Sequence, residues 1–531
     1  MNNRRQIRWA VLLPLLCLVL PLSAQNQEKE DVLTKQVNRI GQALYYIQQF
    51  YLDTVDTSHM ADKVIEMLMD QLDPHSAFIP ADQVQAMNEP LEGNFDGIGV
   101  EFTIIHDTLV VVTPVAGGPS ESVGIRADDR IVEVDGVPIS SDTLTNDKVF
   151  KLLRGPKGTR VGLTVVRRDV AEPLSFEVVR DRIPIYSVDA AYEAAPGIMY
   201  VKISRFAAST MEEFIMAFKG LSDMPKGLVL DLQGNGGGFL GTALFLVEQF
   251  LEKDALMLYA EGANLPRRDE FASGKGFFQK TPVVVLIDEN SASASEIVAG
   301  ALQDWDRATI VGRRSFGKGL VQQAFHFEDG AEMRLTIARY HTPSGRVIQS
   351  PYKMGDKEDY YREIYDRYAR GEYFSEDSIA QLPDSLAFKT LVKGRTVYGG
   401  GGIMPDIFVP ADTTYFSDFY ATLLRKGIIT AFMNDYLDVN REKLAAQYTT
   451  FEAFDKKVSL EDVPFAELIT YAATKNATPG EGDLAKSEAE IRLQLKALMA
   501  RRLFDMVGYY RVVNPTSAVY QKALEVLTGQ K

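Results

Sequence analysis

The chain has 531 residues, 46% of them apolar and 24% charged, with a formal net charge of −15. At roughly 100–200 residues per domain this length implies about three or four domains, and the composition excludes wholesale disorder. An acidic surface repels phosphate backbones, which argues against a nucleic-acid partner.

Arg4, Arg5 and Arg8 precede an apolar run from Trp9 to Leu22, and Ser23-Ala24 follows it. Basic start, apolar middle and small-residue end form the pattern of a secretory signal over residues 1–24. Pro14 interrupts the run, which falls short of the ~20 apolar residues of a membrane span. Retention as an N-terminal anchor is the alternative, and export across an inner membrane to the periplasm is the expectation. Cys17 is the single cysteine, and Leu16 stands before it where lipid attachment prefers a small residue. Cleavage after Ala24 leaves no thiol for disulfides, thiol catalysis or thiolate metal sites.

Residues 25–90 show helical spacing, as in VIEMLMDQL at 64–72, and Pro74 and Pro80 close that region. From 91 to 183 the texture changes to short β-type runs, DTLVVVTPV, DRIVEVDG, RVGLTVVRR and LSFEVVRD, separated by Gly, Pro and Asp. This predicts a β-rich module. In the region 184–410 strands and helices alternate. GLVLDL leads through a glycine cluster to the helical FLGTALFLVEQFL. PVVVLID leads to the helical SASEIVAGALQDW, and ATIVG follows. That alternation predicts a mainly parallel sheet with crossover helices. The tyrosine-rich stretch at 357–374 reads as a helix whose tyrosines pack inward. Residues 411–531 read as helical and carry no interpretable motif.

Three segments each follow a predicted strand of the α/β region: DLQGNGGGF at 231–239, DENSASASEI at 288–297 and GRRSFGKGLVQ at 312–322. Ligands gather at the carboxyl ends of parallel strands, and right-handed crossovers return successive strands in one direction, so these loops should share an edge. Ser293 opens a helix, where the first N–H groups lack internal partners and the helix end carries partial positive charge. It either caps that helix or presents a nucleophilic hydroxyl beside the Ala294 N–H. Lys318 sits between two glycines. It is either a solvated charge or, if desolvation lowers its pKa, a neutral base for Ser293. Gln322, four residues on, is placed to hold that lysine. Gly236, Gly237 and Gly238 either make a tight turn or aim backbone N–H groups at a common point, with Gly237 joining Ala294. Of five histidines, only His326 and His341 fall in this region, both in β-like runs and both expected to be structural. No metal and no other cofactor is expected.

Two rival readings compete with catalysis. GRRSFGK fits G-x-x-x-x-G-K, but Gly319 stands where Ser or Thr should hold magnesium, and LVQQAFHF reads as a strand where a helix is required. The GGGFLG run at 236–241 fits a dinucleotide fingerprint only in isolation. The second rival is a non-catalytic scaffold that binds peptide tails.

The ordered motifs LDPHS at 72–76, GIGV at 97–100, ISRF at 203–206, DLQGNGGG at 231–238, ENSASASEIVAGAL at 289–302, GRRSFGKGLVQ at 312–322 and LTIARYHTPSGRVIQ at 335–349 resemble those of the C-terminal processing peptidases, or tail-specific proteases. The resemblance runs from about residue 40 to 410. It implies a multidomain α+β chain: an α/β protease core of the ClpP/crotonase-like type over 184–410, with an inserted PDZ domain at 91–183 and helical regions at 25–90 and 411–531. By position it makes Ser293 the nucleophile, Lys318 the general base, Gln322 the residue that orients the lysine, and Ala294 with Gly237 the oxyanion hole. Gly97, Ile98, Gly99 and Val100 match the carboxylate-binding loop of PDZ domains, where backbone N–H groups capture a peptide terminus. The implied activity is serine endopeptidase cleavage near the C-termini of protein or peptide substrates with accessible tails. The helical region 411–531 is open to a role in homo-oligomer assembly or adaptor binding. Gln233 and Gly236 depart from the arginine and proline of many relatives.

Overall fold

The computed structural model describes residues 20–529 apart from 142, 169 and 379–381. Most of the signal-like segment 1–24, with Cys17, lies outside the described residues.

Apolar runs of five residues build the central sheet. The strands Gly227–Asp231 and Val283–Ile287 are buried at every position. Such continuous burial marks parallel strands covered on both faces. The sheet order is Val188–Ala195, Ile198–Ile203, Gly227–Asp231, Val283–Ile287, Ala308–Gly312, Ile407–Phe408; the first pair is antiparallel and the rest parallel. As the alternation predicts, the strands that precede the three loops are adjacent. Helices Leu240–Glu248 and Ala294–Asp304 pack one face through Ala243, Leu246, Val298 and Leu302. The opposite face receives Val519, Tyr520 and Ala523 from helix Ala518–Thr528 near the chain's end, against Val229 and Leu286.

A second sheet lies over the loop edge. Its central strand, Glu332–His341, pairs with Leu320–His326, with Leu256–Gly262 and with the short N-terminal strand Ala77–Ile79. This non-local pairing carries the LDPHS segment to the core. Helix Ala81–Glu92 follows and roofs the same edge.

The β-rich module has its own core of Ile98, Leu109, Ile131, Val149, Leu163 and Val165. Strand Arg160–Val166 alternates buried and more exposed positions, the pattern of a sheet with one wet face. Entry strand Asn94–Gly97 pairs antiparallel with exit strand Asp181–Pro184, so the module leaves the chain at a single neck. Helices between Asp418 and Val513 form a further cluster around Phe432, Phe454, Leu468 and Leu495. They meet the module through ion pairs, Arg130 to Asp438 at 2.7 Å and Arg502 to Asp128 at 3.0 Å.

The tyrosine helix, Lys357–Ala369, corrects an expectation. Tyr360 is buried, but Tyr361, Tyr365 and Tyr368 are exposed. Spacings of three and four residues put Tyr360, Ile364 and Arg367 on the inward face, one residue around the helix from the other three tyrosines.

Candidate active site

Ser293 stands at the strand-to-helix corner, with φ +55° and ψ −111°. Positive φ is disfavoured for any side chain with a Cβ, so the corner is strained by roughly 1–3 kcal/mol. Its backbone N–H donates to Glu296 Oε2 at 2.8 Å. Glu296 is fully buried. The same carboxylate accepts the Lys318 N–H at 2.8 Å, the Gly317 N–H at 2.7 Å and the Ser315 hydroxyl at 2.6 Å. One carboxylate therefore fixes the backbone of the serine corner to that of the lysine loop. Burial outweighs the opposing pull of those hydrogen bonds and leaves its carboxyl raised to about 7. The Tyr340 hydroxyl sits 2.6 Å from the Lys318 carbonyl and 3.2 Å from the Ser293 carbonyl.

The structure brings Ser293, Ala294, Gly237, Lys318 and Gln322 to one cleft of about 380 Å³, which Leu91, Leu240 and Ile297 line with apolar surface. Burial lowers the Lys318 pKa, nearby Glu296 and Asp73 raise it, and Arg334 lowers it. Lys318 Nζ donates to Gln322 Oε1 at 3.1 Å. Gln322 Nε2 in turn donates to the His75 carbonyl. Among the described residues no hydrogen bond joins Lys318 Nζ to Ser293 Oγ.

The strand Gly227–Asp231 delivers the glycine loop. Gly237 has φ +105°, and a Cβ there would lie 2.8 Å from the Ser293 Cβ and 3.1 Å from the Ala294 nitrogen, so only glycine fits. Its N–H donates to Asn235 Oδ1 at 2.9 Å and so already has a partner. Ala294, the first helical residue, has no intrahelical acceptor for its N–H. Asn235 clamps the loops together: its carbonyl accepts the Ala292 N–H at 3.0 Å and the Ser295 hydroxyl at 2.8 Å.

Two parts of the site were not assigned from sequence. Glu296 lay inside SASASEI, and its spacing of three from Ser293 is the signature of a capping box, which could have revealed it. The LDPHS segment was recognised without a role. Asp73 accepts hydrogen bonds from the His75 N–H at 2.9 Å, the Ser76 N–H at 3.0 Å and the Thr336 hydroxyl at 2.9 Å, and this fixes the carbonyl on which Gln322 rests. Burial and the Lys318 charge push His75 down to about 4, so its ring is neutral at pH 7. The ring contacts the Tyr360 hydroxyl at 3.1 Å. His326 and His341 end their strands outside the cleft.

The loop Gly97–Val100 lies apart, in the β-rich module. Ile98 is buried, and its carbonyl accepts the Ser120 N–H at 3.1 Å and the Ser120 hydroxyl at 2.7 Å. Gly99 takes φ +73°. The Arg154 guanidinium lies over Phe95 and Phe150, at 4.8 and 4.9 Å, and pairs with Glu89 on the roof helix.

The phosphate-loop reading of GRRSFGK is not favoured. Gly312–Lys318 runs directly into strand Leu320–His326, which supplies no helix N-terminus for a phosphate. Among the described residues no three His, Cys, Asp or Glu side chains gather as a metal site.

Comparison with known proteins agrees with this architecture. Residues 197–359 match the model for peptidase family S41 and residues 110–167 that for the PDZ domain. Residues 419–505 match a family of unknown function. The chain is 36% identical over 338 residues to a carboxy-terminal-processing protease of Bartonella bacilliformis, covering 62% of this chain and 77% of that one. It is 32% identical over 333 residues to the carboxy-terminal processing protease CtpB of Bacillus subtilis, covering 62% and 68%. The chain therefore belongs to peptidase family S41, among the carboxy-terminal processing proteases that carry a PDZ domain.

Proposed function

We propose that the protein is a serine endopeptidase that cuts substrates near their C-termini through Ser293 and Lys318. The observation that carries this reading is the buried Glu296 carboxylate, which holds the backbones of both residues in one cleft. Neutral Lys318 takes the Ser293 hydroxyl proton as Oγ attacks the peptide carbonyl. The C–N bond then breaks, and the same proton goes to the leaving amine. Water attacks the resulting ester and gives a proton to Lys318, which passes it to Ser293 Oγ as the ester C–O bond breaks and the new carboxyl terminus is freed. Gln322 orients the lysine. The Ala294 N–H receives the developing oxyanion, and Gly237 joins it when its N–H turns from Asn235.

The core is read as ClpP/crotonase-like over 184–410, and Gly97–Val100 of the PDZ domain as the loop that captures a substrate's terminal carboxylate. With the signal-like start, periplasmic action on exported proteins fits best. Ser293→Ala and Lys318→Ala should each abolish cleavage of a tailed substrate while tail binding persists. Cleavage by either variant at the wild-type rate would refute the mechanism.

A further inference from the structure

The chain carries a net charge of −15, yet among the described residues no acidic side chain lines its catalytic cleft. The ionisable groups that line it are Lys318, Arg334 and Tyr340. If Lys318 works as a neutral base, Arg334 supplies the positive charge there.

Arg334 is held as a fixed donor. It lies on strand Glu332–His341, opposite Ala77 on one neighbouring strand and Ala324 on the other, so its cross-strand neighbours are small. Its Nε donates to Glu332 Oε1 at 2.7 Å and its Nη2 to Asn88 Oδ1 at 2.7 Å. Asn88 Nδ2 closes the ring on Glu332 Oε2 at 3.2 Å. Among the described residues Nη1 has no hydrogen-bond partner, and the side chain keeps 22% of its surface exposed. Buried Glu332 alone would explain a cation at this position. It does not explain a guanidinium clamped at two nitrogens at the lining of the cleft with a third left over. Clamping removes in advance the rotamer entropy that a free arginine loses on binding, and a guanidinium donates to carboxylates with strong directional preference.

We propose that Arg334 is a specificity-determining residue that receives a substrate carboxylate beside the scissile bond, so that tails with Asp or Glu next to the cut are preferred. This rests on the assignment of Ser293 and Lys318 above. The side chain is chosen over the tail's own terminus because the PDZ loop is the better site for the latter. Arg334 has a second effect. Lys318 is faced by Glu296 and Asp73, which raise its pKa, by Arg334, which lowers it, and by the neutral Tyr340 and His75. Removing the guanidinium charge should move the acid limb of kcat/KM to higher pH, a shift that loosened packing alone would not produce.

The test uses the full mature chain and peptides that differ only in Glu, Gln or Lys on either side of the cut, each as C-terminal acid and amide. Wild type should cleave the Glu peptide about tenfold or more faster in kcat/KM than its Gln isostere, mainly through KM, and the Lys peptide slowest. The Glu-to-Gln ratio should fall to about one in Arg334→Gln and be partly kept in Arg334→Lys. A preference for acid over amide that vanishes in Arg334→Gln, without a side-chain preference, would keep the carboxylate site but assign it to the tail's terminus. Equal rates for Glu and Gln peptides in wild type, with acid and amide alike, would overturn the proposal even if the variants failed to fold. Cleavage surviving in Ser293→Ala would instead indict the catalytic assignment, so the two failures are separable.

Discussion

The Ser293 corner and the Gly97–Val100 loop both follow strands and both leave backbone N–H groups available, yet opposite means hold them. As the proposed carboxylate-capturing loop, Gly97–Val100 needs only backbone; its positive φ falls on Gly99 and its anchor is apolar: Ile98 is plugged into the module core and its carbonyl rests on Ser120. On the proposed function the Ser293 corner needs a hydroxyl at a positive φ. Glycine cannot supply one, so the strain stays on Ser293 and a buried carboxylate, Glu296, opposes it. Binding by backbone comes without strain, whereas a positioned side chain requires both strain and a buried charge to offset it.

Substitutions that exchange these solutions test the contrast. The largest effect should come from Glu296→Gln. An amide cannot accept from all four donors, so the serine corner and lysine loop drift apart. The expected outcome is a kcat about 100-fold lower, the scale of a 1 Å misplacement, with KM little changed. Steady-state kinetics on a tailed peptide measures this, and near-wild-type turnover would show that the carboxylate is only structural.

Gly99→Ala should come next. Its Cβ would lie 2.9 Å from Ile183 Cδ1, at a φ that alanine avoids. Tail-peptide affinity should fall about tenfold by calorimetry, with a loss of about 1–2 kcal/mol in stability and kcat at saturating substrate preserved. A matching fall in kcat would mean that the two loops are not separable. The smallest effect is the inverse case. Ser293→Gly relieves the strain that Ser293→Ala keeps, so the glycine variant should be the more stable of the two inactive proteins by about 1 kcal/mol in denaturant titration. The opposite order would remove strain from the account.

The acid side of the pH profile separates the loops again. On the proposed mechanism Lys318 acts when neutral, and burial lowers its pKa, so kcat/KM should rise with pH through that lowered pKa and fall on acidification. Glu296, pushed up to about 7, titrates in the same direction. Tail binding by the backbone loop should stay flat over that range.

The alternation of apolar runs made the central sheet legible, and with it the meeting of loops 231–239, 288–297 and 312–322 on one edge. The order of motifs singled out Ser293 and Lys318 ahead of the many other serines and lysines. Sequence was silent on the contributions that depend on non-local pairing. Ala77–Ile79 is three residues long, too short to predict, yet it brings Asp73 and His75 beneath Gln322. Arg334 reads only as one polar position of an alternating strand. The direction of the Gly237 N–H, toward Asn235, is a matter of backbone torsion that a run of glycines leaves open.

Labelling with a serine-directed fluorophosphonate, followed by peptide mass spectrometry, tests the central claim most directly. The account predicts a single adduct, on the peptide containing Ser293, which is lost in Lys318→Ala and weakens on acidification. An adduct on a different serine, or undiminished labelling of Ser293 without Lys318, would contradict it.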